Sequence, residues 1–92
     1  ILMNNYPFMT VNSTGEVVTY SALENEATKV FIDKQKDSCS LEFELSRDDV
    51  KLIEAVGYAD ADVMRWKSHM LELKDVLLAL AKDKADNDKN NA

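Results

Sequence analysis

Residues 39–45 alternate without a break, with Cys39, Leu41, Phe43 and Leu45 on one side and Ser40, Glu42 and Glu44 on the other. A period of two predicts a strand with one buried and one wet face. Upstream, residues 6–11 and 16–20 are rich in aromatic and β-branched side chains, and Asn12-Ser13-Thr14-Gly15 lies between them. The spacing predicts a β-hairpin with a four-residue loop, closed by a glycine free to take positive φ. Pro7 has no N–H to give to a ladder, so the first strand belongs at a sheet edge or starts after it.

Residues 21–36 carry two patterns at once. Ser21-Ala22-Leu23-Glu24 fits a capping box, and Leu23, Ala27, Val30 and Phe31 fit helical spacing. The run 28–33 is β-prone. The balance leans to a helical turn at 22–26 followed by a strand at 28–33.

The C-terminal half reads as two helices. Ser46 caps the first, Asp48 and Asp49 suit its positive end, and Val50, Ile53 and Val56 form its stripe. Gly57 then ends it. Asp60 caps the second, which runs from about 61 to 82. Its residues Val63, Trp66, Met70, Leu73, Leu77 and Leu80 recur at alternating spacings of three and four. That is a seam of the a/d kind, which keeps one stripe turned to a partner. A second row, Met64, Leu71 and Leu78, repeats every seven residues about 100° away, with Lys67 and Lys74 between the rows. Residues 82–92 hold no apolar side chain larger than alanine and read as a frayed tail from about 85 onward.

The resulting expectation is an α+β fold: a small antiparallel sheet of three to four strands, then two helices, the last one long. Residues 1–84 form one domain and 85–92 a disordered polar tail. At 92 residues the core is small. Met3 reads as a natural start, and nothing ahead of it reads as a secretory leader. The lone Cys39 fits a reducing, cytoplasmic setting.

Charge narrows the class of partner. Seventeen acids against eleven bases give a net charge of -6, a field that repels phosphate. Direct nucleic-acid binding is therefore disfavoured, and the C-terminal half lacks the basic face of a recognition helix. Residues 1–45 hold seven acids and three bases, whereas 46–92 hold ten and eight, so the excess sits on the β-rich half. Its carriers are Glu16, Glu24, Glu26, Asp33, Asp37, Glu42 and Glu44.

Candidate chemistry is sparse. Two glycines cannot build a phosphate cradle, and the chain has no CxxC, HExxH or GxSxG. His69 is the sole histidine and belongs to no metal-ligand pattern. Cys39 reads as a small core thiol, and Glu42 with Glu44 as a solubilising pair rather than an acid–base dyad. A site assembled from Tyr6, Tyr20, Tyr58 and nearby acids would need those side chains to cluster in space.

No catalytic residue, cofactor or metal is therefore expected, and no membrane association. The leading expectation is a non-enzymatic interaction or regulatory protein. It would dimerise, or bind another protein, through the seam Val63, Trp66, Met70, Leu73, Leu77 and Leu80. A wide apolar arc can also cover a chain's own sheet, but the helix length and the surplus row favour a partner. The alternative is an acidic decoy of the phage or mobile-element type, an inhibitor whose carboxylates mimic nucleic acid and block a host protein that binds it.

Overall fold

The computed structural model describes residues 5–90. Five strands follow one another in sequence and in space: β1 (Asn5–Val11), β2 (Glu16–Ser21), β3 (Ala27–Lys34), β4 (Cys39–Ser46) and β5 (Val50–Val56). All neighbours pair antiparallel in the order β1-β2-β3-β4-β5. One helix, α1 (Asp60–Asn90), completes an α+β chain. The sheet thus has five strands where three to four were expected, and there is one helix rather than two.

Polar turns set the connections. The 12–15 loop folds as the sequence predicts, with Gly15 at φ 79° and its N–H on the Val11 carbonyl at 2.8 Å. Pro7 sits on edge strand β1, where the register to β2 slips between Pro7 and Met9. The capping box at 21–24 starts no helix. Asn25 and Glu26 take φ of 52° and 64°, and Glu24 bridges Ala27, which closes a tight β2–β3 turn. Positive φ at both central residues matches the twist of the flanking strands. Ser21 is instead used in the ladder: its Oγ accepts from Lys29 N at 3.0 Å, and its carbonyl accepts from Thr28 Oγ1 at 2.6 Å. A 3-10 turn, Gln35–Asp37, and Ser38 at φ 55° reverse the chain into β4.

The largest departure is at 46–57. Ser46 caps no helix; it exchanges backbone hydrogen bonds with Asp49 in the β4–β5 turn, at 2.9 and 3.4 Å. Val50, Ile53 and Val56 do not form a helical stripe, because the segment is strand β5. The register sets Val50 opposite Leu45, Leu52 opposite Phe43 and Ala55 opposite Leu41, with a slip that leaves Ile53 as the extra residue. One bulge therefore converts a spacing that resembles a helix into a strand. The edge of β4 supplies the ladder partners that a strand, unlike a helix, must find outside itself.

Alternation builds the core. Val18 and Tyr20, Thr28, Val30 and Ile32, and Leu41, Phe43 and Leu45 are buried on one sheet face. Helix α1 closes that face with Trp66, Met70, Leu77 and Ala81. The helix docks at its far end through the Ala81 carbonyl, which accepts from Leu23 N at 3.0 Å. It then continues through Asn90, so the expected frayed tail is helical over 85–90; residues 91 and 92 lie outside those described. Lys84, 5.1 Å above the Tyr6 ring, ties the extension to β1. No helix among the described residues is long and apolar enough to cross a membrane. The opposite sheet face carries no second layer among the described residues.

Candidate functional site

Two places combine reactive or exposed groups: a polar corner where α1 starts, and an apolar flank beside β5.

The corner is built around Glu16, the first residue of β2. In the alternation Glu16, Val18, Tyr20 it points to the covered face, and it is buried at 5% exposure. The expectation that it joins a surface of acids is therefore corrected. Period two carries its side chain inward, and donors waiting there make burial tolerable. Trp66 Nε1 donates to Oε2 at 2.9 Å, Tyr58 OH donates to the same oxygen at 2.6 Å, and Thr14 Oγ1 donates to Oε1 at 2.7 Å. Burial pushes the carboxyl up, but the bonds from Tyr58, Thr14 and Trp66 outweigh it and hold Glu16 below the ordinary carboxylate range. Burial, then donation to Glu16, pushes the Tyr58 phenol well above its usual value. A carboxylate wrapped in donors and held ionised is a weak base. Its chemistry here is to pin the β1–β2 loop, the β5–α1 link and the first turns of α1 together.

Beside it opens a cleft of about 340 Å³, bounded by Met9, Val11 and Thr14 on the sheet side and by Arg65, His69 and Leu73 on the helix side. His69 stands edge-on to Trp66, with ring centroids 5.5 Å apart. The Arg65 guanidinium is engaged by Asp62 at 2.7 Å. No group of three or more potential metal-binding side chains occurs among the described residues.

The expected interface seam is turned inward. Trp66, Met70 and Leu77 are buried in the core, and Val63, Leu73 and Leu80 pack half-buried against it. In the single chain the seam covers its own sheet. The second row divides: Leu78 packs on the core, while Met64 and Leu71 stand 70% and 54% exposed. Lys74 Nζ donates to the Arg47 carbonyl in the β4–β5 turn at 2.8 Å, so this flank of the helix is turned to β5. On that edge strand Leu52 and Ile53 stand exposed at 39% and 45%, and Val56, opposite Ser40 on the open face, at 44%. Sequence reasoning missed these three because it placed them on a helix.

The remaining acids scatter. Glu24 and Glu26 occupy the β2–β3 turn, and Asp37 pairs with Lys34 at 3.1 Å. Asp33, Glu42 and Glu44 lie on the open sheet face among Lys29 and Lys51, with Lys29 3.8 Å from Glu42. Cys39 is half-buried rather than in the core, its sulfur 3.3 Å from the Gly57 carbonyl. The tyrosines do not converge. Tyr6 and Tyr20 pack with tilted rings, centroids 5.7 Å apart, near one end of β2, whereas Tyr58 bonds Glu16 at the other.

The class so defined is a five-stranded antiparallel meander with one face covered by a single C-terminal helix. No protein-family model matches the chain, and no characterised protein or solved structure matches it either.

Proposed function

We propose that the chain is a non-enzymatic protein–protein interaction module, working through the flank shared by α1 and β5. The observation that carries this reading is the exposure of Met64 and Leu71 on the helix and of Leu52 and Ile53 on the edge strand that the same helix packs against. Clustered large apolar side chains bordered by charge mark interaction sites more often than single exposed ones do. The polar corner supports the same reading by default, since its carboxylate is already spent on three internal donors. This reading puts the surface on the row beside the seam expected in the sequence.

The test compares wild type with a Leu71→Glu, Ile53→Glu variant by sedimentation and by affinity capture from the native cell. Association should be lost in the variant while its melting temperature stays close to that of wild type. A wild type that stays solitary at high concentration and captures nothing overturns the proposal. The acidic-decoy alternative draws less support, because Lys29 and Lys51 interrupt the carboxylates of the open face and Glu16 is buried.

A further inference from the structure

Strand β5 ends the sheet with an unpaired edge, and such edges invite another strand. The other edge is blunted: β1 carries Pro7 and a register slip beside it. On β5, Lys51 lies opposite Glu44 and Glu54 opposite Glu42. Glu42 and Glu44 are two apart on β4, so Lys51 and Glu54 share the open face. In a regular strand, residues three apart point to opposite faces. The bulge at Ile53 is what aligns these two. Glu54 has no ion pair among the described residues and faces another acid across the ladder, a juxtaposition that destabilises a sheet.

From this we infer that the occupant of the β5 edge is a second copy of the chain, paired antiparallel about a two-fold axis between Leu52 and Ile53. This deepens the proposed function and rests on it. In that register Lys51 of each copy lies opposite Glu54 of the other, which supplies the missing cation twice. Val50 lies opposite Ala55, both on the helix-covered face, and Leu52 opposite Ile53. Shifting the register by one residue sets Lys51 opposite Ala55, on the wrong face, so the alternation selects against it. The two five-stranded sheets become one of ten strands. Both helices then lie on the same side of it, and their Met64 and Leu71 flanks face each other across the axis.

The experiment uses the full chain and its charge variants in sedimentation velocity and native mass spectrometry, with circular dichroism to check folding. Wild type should dimerise. Lys51→Glu and Glu54→Lys should each weaken the dimer about tenfold or more, because two attractive pairs become repulsive. Mixing the two single variants should yield a heterodimer, and the Lys51→Glu, Glu54→Lys double variant should recover the homodimer. A wild type that stays monomeric, single variants that dimerise like wild type, or a mixture and double variant that stay apart would each overturn this pairing. Should wild type be monomeric yet capture a different protein that Leu71→Glu, Ile53→Glu releases, the flank stands as an interaction site and self-pairing falls. If it neither dimerises nor captures anything, both fall.

Discussion

The two sides of this sheet treat their exposed groups in opposite ways. On the β1 side the buried carboxylate at the helix start is answered from within. Glu16 meets three donors and Arg65 meets Asp62, while at the other end of β2 Tyr20 is flanked by Tyr6 and Phe8 at ring-centroid distances of 5.7 and 6.4 Å. On the β5 side the strand runs almost bare, with only Val50 buried. The difference follows from where the helix lies and what it brings. Its Trp66 can satisfy a carboxylate and cover the sheet at once, whereas Met64 and Leu71 stand 70% and 54% exposed. A closed corner stabilises the fold; an open flank is where the proposed association would act.

Both sides hang on one core, so the largest effect comes from breaking it. Phe43→Ala, at a fully buried central position, should lower stability by about 3–5 kcal/mol, read as a fall in melting temperature. A small effect would mean that helix and sheet are not packed as described.

Next in size is the corner. Glu16→Gln should destabilise by about 1–3 kcal/mol, because an amide nitrogen would confront one or more donors and leave a buried N–H or O–H unmatched. Its pH dependence has a definite sign. The folded-state value of Glu16 is depressed below 4.5, so its contribution is present above that pH and is lost as pH falls through the folded value. The raised Tyr58 value acts at the other end: its contribution is present below pH 10.0 and declines as pH rises past it. Melting curves of wild type should therefore fall off on the acid side more steeply than those of Glu16→Gln. Identical acid limbs would remove Glu16 from the account.

The junction between the two sides is Gly57, at φ 76°, where an added Cβ would meet Cys39 Sγ at 2.7 Å. Gly57→Ala should cost about 1–2 kcal/mol from the backbone alone, plus the clash. Adding Cys39→Ala should recover the clash but not the backbone part, so the double variant should be more stable than Gly57→Ala. Simple additivity of the two single changes would argue that the contact does not matter.

The smallest stability effect should come from the open flank. Met64→Ser or Leu71→Ser should change unfolding free energy by no more than about 0.5 kcal/mol, since neither side chain is buried. A larger loss would show that the flank serves the monomer.

Much of the sheet could be read directly from the chain. The faultless alternation at 39–45 became β4, the 12–15 cluster became the β1–β2 turn, and Pro7 marked an edge. The separate alternation of β2, Glu16, Val18 and Tyr20 against Val17 and Thr19, held the signal for the buried carboxylate; its polarity hid it. What could not be read was the identity of 50–56, where a bulge at Ile53 disguised period two as period three. Nor could the donors of Glu16 be guessed, since Tyr58 and Trp66 lie 42 and 50 residues away in the chain.

By itself, then, the sequence determined the α+β class, the inward face of each well-patterned strand and the existence of a long C-terminal helix. These follow from local periodicity, which needs only neighbouring residues. Tertiary structure alone decided that 46–57 is a hairpin arm, that the Trp66–Met70–Leu77 stripe covers the chain's own sheet, and that the Met64–Leu71 row is left over. The reason is that a ladder partner and a covering face are supplied by distant segments. A helix with two apolar rows states how much it can cover, not which row its own sheet will take.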